Sequence, residues 1–175
     1  MLEAPDFIVI KWLIVPRHPQ RFDEVAILVE QSGLTLSRRS SWLGSPHENT
    51  EAMQADIWLG DTLGEMPLYY ALADVALLGG SFEKFGGQNL IEAATCGCPV
   101  VMGPHTFNFL DAADLAEAAG VAHRVTDIAG AVGWAIQCVN EREVQSRMSL
   151  SAVSFASTHQ GATQRTTAAL QVYLC

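Results

Sequence analysis

Short apolar runs alternate with helical patterns along almost the whole chain, and this alternation constrains the fold more than any other feature. The strands that this pattern predicts lie at residues 7–15, 34–38, 56–59, 75–78, 99–102 and 121–125. Parallel strands need a crossover connection between them, which is usually a helix. The sequence therefore predicts an α/β fold, in which helices cover both faces of a parallel sheet.

Glycine and proline mark the ends of several predicted elements. The first helix is expected to start at His18-Pro19 and to run to about Ser32, with Gly33 as its left-handed cap. Residues 40–54 are predicted to form a loop. Further helices are predicted near 64–73, 88–95, 109–119 and 127–140, with a helical tail from about 142 to 172. At 175 residues, the chain fits a single domain spanning 1–175.

Charge and composition disfavour several classes of function. The formal net charge is −9, without a long run of either sign, so the chain is a poor match for nucleic acid. Neither the five histidines nor the four cysteines have the spacing of a metal motif, so no metal site is predicted and no cofactor is expected. The cysteines are expected to be reduced, mostly buried thiols. No apolar run reaches the roughly 18–20 residues that a membrane span needs.

Glycines and polar residues concentrate directly after four of the predicted strands. In an open parallel sheet, ligands bind beyond the carboxyl ends of the strands, so these segments are the expected position of a site. The segments are Pro16–Pro19, Gly60–Glu65, Gly79–Ser81 with Gly86–Asn89, and Gly103–Thr106.

The third segment has the strongest chemical character. Gly79–Ser81 end a strand, and Gly86-Gly87 precede the predicted helix that carries Asn89 and Glu92. Glycine backbone N–H groups can approach an anion closely, and a helix N-terminus adds about half a positive charge, so a phosphate fits here. Glu92 can accept hydrogen bonds from two ribose hydroxyls. An equally good interpretation is that Glu92 complements the helix dipole and the glycines only turn the chain.

Two further segments offer candidate ligands. Arg17 and His18 follow the first strand, where an arginine can pair with phosphate or carboxylate in bidentate fashion, although a solvent-exposed loop arginine is the alternative. Gly64 and Glu65 open a predicted helix and offer backbone donors to a base or phosphate. Glu65 as a simple first-turn acid explains the same pattern equally well.

Taken in chain order, five motifs resemble those of Kdo transferases, which transfer 3-deoxy-D-manno-octulosonic acid (Kdo). The resemblance is strong over about residues 7–125 and looser over the helical tail. The motifs are Ile-Val-Pro-Arg-His-Pro-Gln-Arg-Phe, Leu-Gly-Asp-Thr-Leu-Gly-Glu-Met, Asp-Val-Ala-Leu-Leu-Gly-Gly-Ser-Phe, Gly-Gly-Gln-Asn-Leu-Ile-Glu-Ala and Val-Met-Gly-Pro-His-Thr-Phe-Asn-Phe. Glu92 with Gly97-Cys98-Pro99-Val100 also resembles, more distantly, the donor-binding domains of other GT-B glycosyltransferases. The resemblance implies the Rossmann-like C-terminal half of a GT-B fold.

The family resemblance implies an inverting transfer of Kdo from CMP-Kdo to a lipid A precursor in lipopolysaccharide biosynthesis. The reaction would take place at the cytoplasmic face of the inner membrane of Gram-negative bacteria. The catalytic base, the acceptor surface and the membrane association would belong to an N-terminal domain that this sequence does not contain. The abrupt start of the strand pattern at Phe7 agrees with that expectation. No catalytic residue is therefore expected here, and the chain alone should be soluble and inactive in transfer.

Carried onto this chain, the resemblance implies a set of residues that hold the nucleotide sugar. They are Arg17, His18, Gly64, Glu65, Gly80, Ser81, Gly87, Gln88, Asn89 and Glu92. Gln88 stands where relatives commonly have histidine, so a role that needs a protonatable ring is in doubt.

Two alternatives from other classes stay open. One is a nucleotide-binding α/β module without turnover, which would lack an N-terminal half with an acidic base in its full-length parent. The other is a UDP-sugar epimerase-like domain with a GT-B-like architecture, which would prefer UDP to CMP.

Overall fold

The computed structural model describes residues 10–159 and Thr167. The chain divides into two compact units, Met1–Tyr69 and Tyr70–Cys175. The single domain that the sequence predicts over 1–175 stays a prediction.

The first unit contains a three-stranded parallel sheet with the third strand in its centre. Ile57 of the central strand pairs with Trp12 on one side and with Leu36 on the other. Leu59, at the end of the central strand, is fully buried. In chain order the elements are β1 (Trp12–Ile14), α1 (Phe22–Gln31), β2 (Leu36–Arg38), α2 (Thr50–Gln54), β3 (Ile57–Leu59) and α3 (Met66–Leu72).

Helix α1 begins later than the sequence predicts, because Pro19 starts a 3₁₀ turn that precedes it. The turn spans Pro19–Arg21, and α1 then buries Ala26 and Val29. The predicted end is confirmed, since Gly33 has φ +77° and its N–H donates to the carbonyl of Glu30.

The predicted loop at 40–54 is wrong in part, because the segment contains 3₁₀ turns and the short helix α2. Ser45 and Glu48 form a capping box around the turn Pro46–Glu48. Asn49 then caps α2, accepting a hydrogen bond from the N–H of Ala52 at 3.1 Å. Polar caps stabilise these turns locally where an apolar periodicity is missing, so periodicity alone did not reveal them.

The second unit contains another three-stranded parallel sheet, with the middle strand of its sequence in the centre. All three residues of that central strand, Val100–Met102, are fully buried, as expected for a strand covered on both faces. The elements are β4 (Ala76–Leu77), α4 (Leu90–Thr95), β5 (Val100–Met102), α5 (Leu110–Ala118), β6 (Ala122–Arg124), α6 (Ile128–Asn140) and α7 (Arg142–His159).

Small side chains let the helices of the second unit pack closely around this sheet. Fully or almost fully buried alanines occur in α4, α5 and α7. The middle of α7 is tied to the turn before β5, because the hydroxyl of Ser149 donates to the carbonyl of Gly97 at 2.6 Å. Cys98 lies in the same core, and burial raises its pKa to about 12, so it is a packed thiol.

The predicted α/β class with parallel strands is confirmed. The strands pair as two three-stranded sheets, one in each unit. Helix α7 accounts for the predicted tail as far as His159. The remainder of that tail to 172, and the strand residues 7–9, lie outside the described residues.

Candidate functional site

All four of the predicted segments lie at carboxyl ends of strands, as the sequence predicts. In the first unit, Pro16–Pro19 follows β1 and Gly60–Glu65 follows β3. In the second unit, the segment from Gly79 follows β4 and Gly103–Thr106 follows β5. The first two segments belong to one sheet and the last two to the other.

Glu65 lies just before α3, and both oxygens of its carboxylate accept hydrogen bonds. Arg39 donates from Nη2 to Oε1 at 2.8 Å. The hydroxyl of Tyr69 donates to Oε2 at 3.1 Å, and the hydroxyl of Thr62 donates to the same oxygen. The Thr62 hydrogen bond is the main cause that lowers the pKa of Glu65, with Tyr69 and Arg39 acting in the same direction. The carboxylate is therefore ionised at neutral pH and holds Arg39 in place.

Arg39 is a residue of this edge that sequence reasoning missed, and Asp61, although it lies in the predicted segment Gly60–Glu65, was not named as a site residue. The Asp61 side chain is only 4% exposed and accepts from the N–H and hydroxyl of Ser40, at 2.8 and 2.7 Å. Arg39 lies over the ring of Trp42, with 5.7 Å between its guanidinium carbon and the ring centroid. Both arginine and serine directly follow β2. Applying the rule of strand carboxyl ends to β2 as well would have found Arg39 and Ser40.

Arg17, His18 and Gly64 are exposed in the first unit. Within residues 10–159, the side chains of Arg17 and His18 make no hydrogen bond or ion pair, so neither is joined to the Glu65 cluster. The Arg17 guanidinium is thus available to an anion. Gly64 has φ +81°, and a Cβ added there would meet nothing within 4 Å. Position 64 therefore favours glycine because of its backbone conformation and not because of crowding.

Ser81, in the second unit, is fully buried, and its hydroxyl is used inside the protein. Its Oγ donates to the carbonyl of Leu78 at 2.6 Å and accepts from the N–H of Gly103 at 2.8 Å. The carbonyl of Ser81 also accepts from the N–H of His105 at 2.9 Å. Ser81 therefore joins the loop after β4 to the loop after β5. The contact of Ser81 with a nucleotide stays a prediction. In this structure the Ser81 hydroxyl is already hydrogen-bonded to Leu78 and Gly103.

The residues Gly79–Gly87, called the glycine loop from here on, close on themselves. The N–H of Gly87 donates to the carbonyl of Gly80 at 2.9 Å, and both glycines have positive φ, +72° and +78° for Gly80 and Gly87. The Gly87 N–H is therefore occupied within the loop. The backbone N–H groups of Gly86 and Gln88, by contrast, have no hydrogen-bond partner within residues 10–159.

Asn89 and Glu92 lie together at the start of α4. Asn89 Oδ1 accepts from the N–H of Ile91 at 3.1 Å and so caps the helix, as the predicted helix start requires. Its Nδ2 donates to Glu92 Oε1 at 3.3 Å. Glu92 is exposed, and its Oε2 has no partner in the described part of the chain. The amide thus orients the carboxylate while leaving one oxygen open.

Gln88 folds back over the glycine loop. Its Nε2 lies 3.5 Å from the position that a Cβ on Gly80 would take, and its Cγ lies 3.9 Å from the corresponding position on Gly79. A side chain on either glycine would therefore meet Gln88. This places an amide donor beside the same turn that carries the unpaired N–H groups.

Arg124 is a further polar residue that sequence reasoning missed, at the carboxyl end of β6. It pairs with Asp114 and Glu117, each at 2.9 Å, and donates to the hydroxyl of Thr106 at 3.0 Å. Two carboxylates neutralise its charge, so Arg124 braces the loop after β5. Its three partners lie 7 to 18 residues before it, in α5 and in the loop after β5, at spacings that match neither neighbouring positions on a helix nor those on a strand.

Two features are absent from the part of the chain that the structure describes. No three His, Cys, Asp or Glu side chains there are grouped so as to hold a metal ion. None of the helices in the same part combines the length and the apolar character needed to cross a bilayer.

Comparison with known proteins gives close relatives, although no family model matches the chain. A 3-deoxy-D-manno-octulosonic acid transferase of Bordetella pertussis is 52% identical over 162 residues, covering 93% of this chain and 37% of that protein. The Haemophilus influenzae transferase of the same name is 37% identical over 164 residues, with the same two shares. The chain thus spans a little over a third of the length of these relatives.

A solved structure extends the comparison to the fold. The C-terminal CMP-Kdo binding domain of WaaA from Acinetobacter baumannii matches with a TM-score of 0.73 and 30% identity, over 82% of this chain and 72% of that one. The match confirms the predicted C-terminal half of a GT-B fold. From its sequence, its parallel α/β architecture and this structural match, the chain belongs to the Kdo transferase family and corresponds to the family's C-terminal domain.

Proposed function

We propose that this chain binds CMP-Kdo as the donor-binding domain of a Kdo transferase. The observation that carries the proposal is the glycine loop, which leads into α4 with open donors and an oriented carboxylate. The N–H groups of Gly86 and Gln88 and one oxygen of Glu92 lack partners in the described chain. The related Acinetobacter domain, which is named for CMP-Kdo binding, supports the choice of ligand.

The phosphate of the nucleotide is assigned to the glycine loop. Backbone N–H groups in a turn form an anion-binding concavity, and they do so best where no side chain blocks the approach. Gly86 and Gln88 supply such groups, and the Gln88 amide lies over the same turn. A glutamine donor at this position needs no protonation, so the contact would not depend on pH near neutrality.

The ribose is assigned to Glu92. Its exposed carboxylate is already oriented by Asn89, so little side-chain freedom is lost when two ribose hydroxyls donate to it. Complementing the helix dipole is compatible with this role, because Glu92 lies in the first turn of α4.

For the four predicted site residues of the first unit, contact with the nucleotide stays a prediction. Arg17 and His18 offer side chains without partners, and Gly64 offers an exposed backbone. Glu65 acts differently from a direct ligand, because both of its oxygens already accept hydrogen bonds from Arg39, Thr62 and Tyr69. Any role of Glu65 in binding would pass through the groups that it holds.

The activity of the full-length parent follows from this assignment. The acceptor hydroxyl of a lipid A precursor attacks the anomeric carbon of Kdo, and its proton passes to an acidic base outside this chain. CMP leaves with the electrons of the broken bond, and the glycine loop stabilises the charge on its phosphate. The reaction serves lipopolysaccharide biosynthesis at the cytoplasmic face of the inner membrane, with the acceptor and the membrane bound by the N-terminal domain. The isolated chain therefore binds donor but transfers nothing.

The proposal is tested by calorimetric titration of the chain with CMP and with UMP, using Glu92→Ala as the variant. Loss of charge-assisted hydrogen bonds should weaken CMP binding about tenfold or more. Glu51→Ala is the matched control, because Glu51 is also an exposed acid in the first turn of a short helix, α2, and should bind CMP like the wild type.

The outcomes separate the competing functions. CMP binding that is clearly tighter than UMP binding, and that weakens in Glu92→Ala only, supports the donor site. Equal binding of the two nucleotides would contradict the CMP-Kdo assignment while leaving a nucleotide-binding module. Preference for UMP over CMP would favour the UDP-sugar epimerase-like alternative. Sugar transfer by the isolated chain, assayed separately, would refute the assignment of the base to another domain.

A further inference from the structure

We propose that Asn108 is a positioning residue that fixes the glycine loop, and through it the backbone donors offered to phosphate. The part of this inference that concerns phosphate rests on the proposed function. Asn108 lies in a 3₁₀ turn, Phe107–Phe109, after β5, and it is not among the residues that the sequence nominates.

Asn108 binds two consecutive carbonyl groups of the glycine loop. Its Nδ2 donates to the carbonyl of Phe85 at 2.9 Å, and its backbone N–H donates to the carbonyl of Gly86 at 3.0 Å. These are the only hydrogen bonds, among those of residues 10–159, that tie residues 82–86 to a distant part of the chain. Residues 83–85 are exposed, with Phe85 at 74%, whereas Gly86 is buried against Asn108 and Phe107.

These two bonds determine where the loop's N–H groups point. In a planar trans peptide the C=O and the following N–H point in opposite directions. Holding the Phe85 carbonyl therefore turns the Gly86 N–H away from Asn108, and this N–H is one of the two unpaired donors, the other being that of Gln88. Holding the Gly86 carbonyl likewise turns the Gly87 N–H away, towards its partner, the carbonyl of Gly80.

The packing at Gly86 leaves no room for a side chain. A Cβ at Gly86 would lie 2.5 Å from Asn108 Cγ and Nδ2, and 2.6 Å from Cε2 of Phe107. Gly86 also has φ +84°, a conformation that side chains disfavour. Asn108 and a glycine at position 86 are therefore matched parts of one contact.

The test compares Asn108→Ala and Asn108→Asp with Asn140→Ala. Asn140 is the matched control, because it is also exposed and its Nδ2 donates to a backbone carbonyl, that of Ile136, at 2.8 Å. Two measurements are made on each protein. One is the hydrogen-exchange rate of the Gly87 amide, and the other is the affinity for CMP and for cytidine, which lacks the phosphate.

In Asn108→Ala the Gly87 amide should exchange about three- to tenfold faster, and CMP should bind about three- to tenfold more weakly, as expected for one lost hydrogen bond. Cytidine affinity and the exchange of β5 amides should not change. Asn108→Asp should bind CMP more weakly still, because its carboxylate faces a carbonyl and adds negative charge near the phosphate. Asn140→Ala should match the wild type throughout.

Other outcomes overturn the inference or separate it from the proposed function. Unchanged exchange at Gly87 in both Asn108 variants would refute the positioning role, whatever the nucleotide data. Equal loss of CMP and cytidine affinity would show a general structural effect and would also refute it. If the wild type binds no CMP, the proposed function fails, and the exchange rate at Gly87 alone decides whether Asn108 positions the loop.

Discussion

Replacing Ser81 with alanine distinguishes a structural hydroxyl from a ligand hydroxyl. The substitution leaves the carbonyl of Leu78 and the N–H of Gly103 without their partner, in a place that is fully shielded from solvent. An unsatisfied buried polar group costs about 1–3 kcal/mol. With two such groups, the free energy of unfolding should fall by about 2 kcal/mol or more.

The assay is urea unfolding followed by far-UV circular dichroism. The urea concentration at the unfolding midpoint should fall, while the slope of the unfolding free energy against urea concentration (the m-value) should stay the same. Ser157→Ala is the control, since the Ser157 hydroxyl is exposed and donates to the carbonyl of Ser154 at 2.7 Å within one helix. That variant should stay within about 0.5 kcal/mol of the wild type.

The reasoning would be refuted if Ser81→Ala lost less than about 0.5 kcal/mol of stability. If CMP binding also disappeared in such a stable variant, the hydroxyl would be a direct nucleotide ligand. The structure instead predicts that stability falls first, with any loss of binding following from movement of the loops after β4 and β5.

Two further substitutions test the first unit and the backbone. Glu65→Gln should lower the melting temperature at pH 7, and the difference from the wild type should shrink as the pH falls below about 4. The sign follows from the lowered pKa of Glu65, whose stabilising contribution is present above the unfolded pKa of about 4.3 and is lost on protonation in the folded state. A difference that stays constant down to pH 3 would contradict this. Gly64→Ala should destabilise by about 1 kcal/mol because of its positive φ, whereas Gly133→Ala, in α6 with equally open space, should stabilise by a similar amount. Urea unfolding of both variants checks the pair, and effects of the same sign would count against the backbone explanation.

Much of the fold was predictable because its signals are local. The strands β1, β3 and β5 are apolar runs of β-branched or other large side chains, and glycine, proline or polar residues follow them closely. Gly33 and Asp127 mark helix boundaries by backbone conformation and capping, as the N–H of Gly130 donating to Asp127 Oδ1 at 2.7 Å shows. The order of the five motifs predicted the Kdo transferase family, and the comparisons confirm this prediction.

The chemistry of the site was less predictable, because residue type does not show where a side chain points. The sequence places Ser81 among the residues that hold the nucleotide sugar, and it gives no sign that the hydroxyl bonds to the carbonyl of Leu78 and the N–H of Gly103. Glu65 could have been placed better, since Thr62, Glu65 and Tyr69 have the three- and four-residue spacings of one helical face. Asn108 and Arg39 meet their partners only through the folding of distant segments, and no local pattern can reveal such contacts.

The central claim is tested most directly by a nuclear magnetic resonance titration of the ¹⁵N-labelled chain with CMP. Binding at the glycine loop and α4 should produce saturable shifts of the Gly80, Gly86, Gln88 and Glu92 amides, with UMP producing them only at clearly higher concentration. Shifts that are absent from these residues, or that CMP and UMP produce equally, would contradict the assignment of this domain to CMP-Kdo.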